Sequence, residues 1–375
     1  MNTPLTKEQE LVLMLVQFRN LDKAKIQAYL KEKLDWAQVL GHLSYNRVAG
    51  LAYHSIKECP LEKKGVNREF LYGLYMHYEL QTIRNNIFRQ YAAELSAKLK
   101  ELNIQHAFLK GLILSHTTYP SGGRASNDID VLLNGRDITV CGELLTSLGY
   151  IQGYYDLKSN SIIPATRQEI ITSRMTSGEV VPYRKVITTQ GLNLMEVDLN
   201  FALNKVATGT EQAVAEFLNS SIDYNFPDNQ VFRSLSSERF LIHLCVHLFK
   251  EASVLRGVQT QRDLSLYKFV DIYAFISNPD ICIDWNGLIK VAQEFKFEKE
   301  CYYALTYTRT FFPILNNYRD FTKTIEALTP ENTEYLKEVV DAADSNNRYV
   351  WPQDLLSRFF DLKRYGCLIS KGGRG

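Results

Sequence analysis

The tightest constraint on this chain is a change of hydrophobic period along it. Residues 6–58 repeat apolar side chains at helical spacing, in EQELVLMLVQF and IQAYLKEKLDWAQVLGHL. Arg68 through KLKELN reads as one long helix, whose Phe70, Tyr72, Tyr75 and Tyr78 are expected to serve packing rather than ligand binding. At Gln105 the pattern breaks. HAFLKG is a short apolar strand ending on Gly111, and LILSHTTYP turns off it as a helix. SGGRASND is a loop with turn chemistry, IDVLL is an apolar strand, and RDITVCGELLTSLGY is a helix with Asp137 near its start and Gly149 at its end. Residues 151–180 are polar and show no period. PYRKVITT and LNLMEVDLNFAL follow as two strands with Gln190-Gly191 as the turn. From Ser237 the chain is helical again, with RFLIHLCVHLFKEA and LYKFVDIYAFI read as amphipathic, and it ends in SKGGRG, expected to be a mobile tail.

This order describes an α/β (α+β) chain: a core with a small mixed sheet, set between helical regions. The expected division is a helical N-terminal region over 1–102, a core over 103–230 and a helical C-terminal region over 231–375. A chain of 375 residues is long enough for such a partition.

Within the core, Asp128 and Asp130 open an apolar strand. Residues i and i+2 of a strand face the same side, so both carboxylates point one way while Ile129 and Val131 point into the interior. Two such charges ~6 Å apart repel by about 3 kcal/mol at an effective dielectric near 20, and a hard divalent cation relieves that repulsion. Mg²⁺ suits such a pair, completed by substrate phosphates, with Mn²⁺ as the alternative ion. Sites that clamp an in-line phosphoryl displacement between two metals commonly add a third carboxylate. The strand Met195–Phe201 supplies Glu196, Asp198 and Asn200 on one face. Asp198 is favoured as the third ligand for its shorter, stiffer side chain, with Glu196 as the rival expected to lie farther out. Asp130 is expected to be held by function rather than packing, so that an asparagine there leaves the fold intact.

Phosphates need donors. Lys110-Gly111 ends the preceding strand, where a small residue lets backbone approach a ligand and a following helix N-terminus adds its dipole. Arg124 lies in the loop just before Asp128, and its guanidinium suits a phosphate fork.

Composition narrows the partners. Basic and acidic residues nearly cancel, leaving a formal charge of +1, whereas a protein dedicated to long nucleic acids carries a basic excess. The six cysteines form no CxxC pair, which disfavours structural zinc and a disulfide scaffold. MNTPLTKEQELVLMLVQF places acidic residues before a short apolar run, unlike a signal peptide, and no apolar stretch is long enough for a membrane span. A cytoplasmic location is expected.

FLKG, YPSGGRASNDIDVLL, a helix ending LGY, and MEVDLNF together resemble the uncharacterised bacterial nucleotidyltransferases of the polymerase-β superfamily, in particular the group with the pattern LKG…YP…R…DIDLLV…GY…DLHW. The motifs span roughly residues 105–201. The resemblance implies a polymerase-β-like nucleotidyltransferase core and Mg²⁺-dependent transfer of a nucleoside monophosphate from an NTP, such as ATP, to an acceptor. It implies metal ligation by Asp128, Asp130 and Asp198, the last matching the Asp of DLHW, and phosphate binding at Lys110 and Gly111. Lys-Gly stands where the wider superfamily has Gly-Ser, and Asn200-Phe201 where the group has His-Trp, a departure that bears on the acceptor side.

Competing readings attach to several of these residues. A lone DxD is more often a turn, and it also occurs in metal-dependent glycosyltransferases, which need a βαβ half upstream that is absent here. His243 and His247 share a helix face but lack the Glu of HExxH, so packing or surface roles are expected. Arg184 and Lys185 are expected on a solvated strand face in preference to phosphate, Lys371 and Arg374 as solvated charges, and His106 and His116 receive no role. The acceptor is expected to be a small molecule, peptide or protein rather than a long nucleic acid. The alternatives are a binding or regulatory protein that keeps the pocket without turnover, and a toxin-like enzyme that modifies tRNA or protein.

Overall fold

The protein is described by a computed structural model over residues 4–60, 66–204, 209–342, 344 and 346–371. Four helices open it: α1 (Lys7–Leu15), α2 (Lys23–Leu30), α3 (Trp36–Tyr45) and α4 (Ala49–Lys57). Side-chain caps start three of them. Thr6 and Gln9 form a capping box on α1, Asp22 accepts from the Lys25 N–H, and Asp35 from the Gln38 N–H. Helix α5 (Arg68–Glu101) is the long helix expected from the sequence. Its aromatics differ from expectation. Phe70 is buried beside Trp36, whereas Tyr72 is 58% exposed and Tyr75 is exposed as well.

The central region follows as β1 (His106–Phe108), α6 (Lys110–Thr117), β2 (Ile129–Leu133), α7 (Ile138–Ser147), β3 (Ile151–Asp156), β4 (Ser161–Pro164), α8 (Arg167–Thr176), β5 (Tyr183–Thr189), β6 (Leu192–Asn200), α9 (Glu211–Asn219), β7 (Ile222–Asn225) and β8 (Val231–Ser234). The strands form one eight-stranded mixed sheet in the order β4-β3-β5-β6-β2-β1-β8-β7. Pairs β2–β6 and β1–β8 are parallel and the rest antiparallel. The continuous apolar run IDVLL suits a central strand covered on both faces, and all five residues of β2 are buried. The β5–β6 hairpin turns where expected, but the sheet is wider than the four strands legible in the sequence. The aperiodic stretch 151–180 folds as β3, β4 and α8, and β7–β8 extend the other edge. Helix α6 also starts at Lys110, so Lys110 and Gly111 belong to a first helical turn and not to the strand end.

The C-terminal part comprises α10 (Ser237–Ala252), α11 (Leu255–Gln259), α12 (Leu266–Ile276), α13 (Trp285–Glu294), α14 (Glu298–Phe311), α15 (Arg319–Ala327) and α16 (Leu355–Phe360), with a three-stranded sheet of β9 (Glu338–Val340), β10 (Arg348–Val350) and β11 (Ile369–Ser370). Helix α12 is not amphipathic as expected. Ten of its eleven residues are buried, including Lys268 and Asp271, because helices surround it. Lys371 is exposed, as expected of a solvated charge, and makes surface ion pairs with Glu334 and Glu338. The rest of the tail, with Arg374, lies outside the described residues.

By contacts the chain divides into two units, residues 1–75 with 241–375, and residues 76–240. The first unit is mainly helical, includes the three-stranded sheet, and carries a buried bidentate pair, in which Arg364 donates to Asp263 at 2.6 and 3.0 Å. The second contains the eight-stranded sheet and every residue named below as part of the site. No helix among the described residues is long and apolar enough to cross a membrane.

Candidate active site

Strand order and register assemble the acidic face. In the parallel β2–β6 pair Asp130 stands beside Asp198, and Ile129 beside Val197. Met195, Val197 and Leu199 fill the interior on one face of β6, which leaves Glu196 and Asp198 on the other. Asp128, Glu196 and Asp198 each present a carboxylate oxygen, and the three oxygens lie within 4.8 Å of one another. Both β6 carboxylates therefore converge on Asp128. The expectation that Glu196 stands farther out is corrected: the strand alternation that gave the two residues one face also brings both into reach.

Asp130 is buried and differently engaged. The Leu109 N–H donates to the Asp130 carbonyl at 3.0 Å, which brings the chain leaving β1 alongside β2. Lys110 follows, and its Nζ donates to Asp130 Oδ1 at 2.7 Å. Burial works against the Lys110 charge, but attraction to Asp130, Glu179 and Asp128 outweighs it and holds the ammonium above its ordinary range. Asp130 is thus a structural partner as well as a candidate ligand, contrary to the expectation of a purely functional carboxylate.

Arg124, in the loop before β2, meets Gly111 in the first turn of α6. Arg124 is buried, with Nη1 donating to Ala125 O at 2.8 Å and to Ser126 Oγ at 3.1 Å, so its guanidinium braces the loop. Helix α5 holds the same loop from outside: Asn85 Nδ2 donates to Arg124 O at 3.0 Å, and a side chain at Gly122 (φ +66°) would strike the Tyr78 carbonyl at 2.5 Å. Gly111 is required by close approach, since a Cβ there would lie 2.4 Å from Ser126 Oγ and 2.9 Å from Arg124 Nη1. Gly111→Ala is therefore expected to displace the loop at a cost of about 1–3 kcal/mol, the range for overpacking. A melting temperature equal to wild type would show that the loop yields without penalty.

Arg184 does not lie on a solvated face. Its Nε donates to Glu196 Oε2 at 2.6 Å, and it also bonds the Gly153 carbonyl. Lys185 turns away from the acidic face, donating to Leu148 O at 2.8 Å. Glu179, which sequence reasoning missed, bridges backbone with Asn200 and takes hydrogen bonds from Ser173 and Ser177 at its carbonyl. It lies in the stretch that shows no period, so no sequence signal marked it. The histidines are elsewhere. His106 is buried with Nδ1 2.9 Å from Ile104 O, and burial pushes His116 down to about 4. His243 is buried on α10, its ring stacked on His247.

Asp198 is the strained member of the cluster. Its Oδ1 is buried and accepts no hydrogen bond. Burial, reinforced by Asp128, Asp130, Glu196 and Glu179, pushes its carboxyl well above the ordinary aspartate range. An orphaned buried oxygen beside two converging carboxylates is an all-oxygen, hard donor set, which fits Mg²⁺ or Mn²⁺.

A family described as "Uncharacterised nucleotidyltransferase" matches residues 32–313. No curated protein matches the chain. Among solved structures, an antigenic nucleotidyltransferase-like protein from Paracoccidioides brasiliensis is similar at 16% identity and a TM-score of 0.35, over 64% of this chain and 92% of that one. The family match covers well over half of the sequence and contains the whole acidic face, so this mixed α/β chain belongs to the family of uncharacterised nucleotidyltransferases.

Proposed function

We propose that the protein transfers a nucleoside monophosphate from an NTP to a non-polymeric acceptor in a reaction dependent on Mg²⁺ or Mn²⁺. The observation that carries this reading is the convergence of Asp128, Glu196 and Asp198, with a buried Asp198 oxygen that has no protein partner. Asp128, Asp198 and Glu196 are the residues to hold the cation, with Asp130 beside them. When bound, the cation would offset the charge of the triphosphate and acidify the acceptor hydroxyl. Lys110, close to Asp130 in the free chain, is the cation to meet the phosphates, while Gly111 and the braced Arg124 loop set the approach of backbone to them. The acceptor oxygen bonds to the α-phosphorus as the α–β bridging bond breaks. Pyrophosphate leaves, and the hydroxyl proton passes to solvent. The protein's contribution is position and charge, as is usual for phosphoryl chemistry.

The test is calorimetric titration of ATP with and without Mg²⁺. Because phosphates complete the coordination of such an ion, affinity is expected to fall at least about tenfold when EDTA replaces the cation. Equal affinity in EDTA would remove the metal from the reading.

A further inference from the structure

Asp130 and Glu196 each accept a hydrogen bond from a cationic side chain, with different consequences. Asp130 Oδ1 accepts from Lys110 Nζ at 2.7 Å, and Asp130 is not one of the three residues whose oxygens converge. Glu196 Oε2 accepts from Arg184 Nε at 2.6 Å, yet Glu196 still presents an oxygen within 4.8 Å of those of Asp128 and Asp198. The two engagements coexist because an ionised carboxylate has two oxygens and about four lone-pair directions.

The sheet fixes Arg184 in place. Register sets it directly opposite Glu196 in the antiparallel β5–β6 pair, where facing side chains lie at close range on one face. A second guanidinium nitrogen, Nη1, donates to the Gly153 carbonyl on the neighbouring strand β3. The planar fork thus spans two acceptors at fixed angles, which a single ammonium does not do. The Arg184 and Glu196 side chains are only 16% and 21% exposed. A glutamate has one more rotatable bond than an aspartate, and a fixed donor removes that freedom before an ion arrives. A guanidinium this close also repels a cation, so the sign of its effect separates the two roles. Positioning makes cation binding weaker when the arginine is lost, and repulsion makes it tighter.

We propose that Arg184 is a positioning residue for the cation: it holds the Glu196 carboxylate turned toward Asp128 and Asp198, and it does not itself meet the phosphates. The proposal rests on the cation reading above and adds a residue to it. The test uses the full chain with Mn²⁺ and an ATP analogue whose α–β bridge is a methylene, so that nothing turns over. Mn²⁺ affinity is read by electron paramagnetic resonance, and analogue affinity in EDTA by calorimetry. Arg184→Gln is expected to weaken Mn²⁺ binding by roughly tenfold or more, the scale on which groups that orient a metal ligand act. Analogue affinity in EDTA is expected to stay as in wild type. Arg184→Lys keeps the charge should the glutamine variant fail to fold, and it is expected to weaken Mn²⁺ in the same direction, since an ammonium does not replace the fork. In the Glu196→Gln background, Arg184→Gln is expected to change Mn²⁺ affinity by less than about twofold, because the arginine acts through Glu196. A merely structural bond would lower the melting temperature and leave Mn²⁺ affinity unchanged; that result, or tighter binding, would overturn the proposal. So would a loss of analogue affinity in EDTA, which would put Arg184 on the phosphates, or a full loss repeated in the Glu196→Gln background. Wild type that binds no Mn²⁺ would remove the cation reading and the proposal with it.

Discussion

Asp198→Asn is expected to lower nucleotidyl transfer by roughly 10³-fold or more, the scale on which removing a charge-stabilising group acts, and at the same time to raise the melting temperature of the metal-free protein. The two effects have one source. Burial disfavours the Asp198 carboxylate first, repulsion from Asp128, Asp130, Glu196 and Glu179 adds to it, and its buried Oδ1 accepts no hydrogen bond. An asparagine of nearly the same shape removes that repulsion, for a gain on the order of 1 kcal/mol, as is common where function maintains strain. The sign with pH follows from the raised pKa. A carboxyl whose folded value exceeds its unfolded one binds more protons in the folded state. Its stabilising contribution is complete below the unfolded value, near ~3.9, and is lost as pH rises through the folded value. The stability gap between variant and wild type should therefore widen from acid toward neutral pH and narrow when Mg²⁺ is added to the wild type. Thermal melts across pH, with and without Mg²⁺, read both trends. A variant less stable than wild type at neutral pH would make Asp198 a structural residue, and retained transfer would remove it from the chemistry.

The second large effect concerns the Lys110–Asp130 pair, whose side chains are 14% and 5% exposed. Removing one partner of a buried pair typically costs about 3–5 kcal/mol, because the other charge is left uncompensated. The loss should be unequal here. Lys110→Met leaves Asp130 next to Asp128 and Asp198 without the ammonium that bonds it, and the full cost is expected. Asp130→Asn leaves Lys110 still attracted by Glu179 and Asp128, so the cost should be smaller. Denaturant unfolding of both singles and the double variant gives the coupling between them. Mg²⁺ should recover part of the stability lost in Lys110→Met, since a bound cation stabilises the folded state that holds it. If the two singles cost the same and Mg²⁺ rescues neither, the lysine is not compensating the carboxylate cluster.

How much of this was legible along the chain differs from element to element. The apolar run of β2, the alternation of β6 and the periods of α5 and α7 were readable because each is a local pattern: side chains i and i+2 share a strand face, and i and i+4 share a helix face. That locality is enough to put Glu196 with Asp198 on one face of β6, whereas Asp128 stands just before the first residue of β2 and not within the strand, so alternation does not govern it. Locality is also why IDVLL and LNLMEVDLN fall within the observed strands β2 and β6. Strands of three or four residues, such as β4, β7 and β9, are too short to show a period, and they are held by partners elsewhere in the sheet.

The sequence by itself determined the long helix, the mixed α/β core and the candidates Asp128, Asp130, Glu196 and Asp198, but not Glu179. Only the tertiary structure decided which charges meet. The parallel β2–β6 register set Asp130 beside Asp198, and both β6 carboxylates joined Asp128. The passage from β1 into α6 carried Lys110 onto Asp130, and the β5–β6 pairing turned Arg184 from solvent onto Glu196. The reason is physical. The face a residue occupies is fixed by backbone geometry over a few neighbours, but the energy of a charge depends on every charge within several ångströms and on how much water lies between them. Those quantities exist only once distant segments have packed.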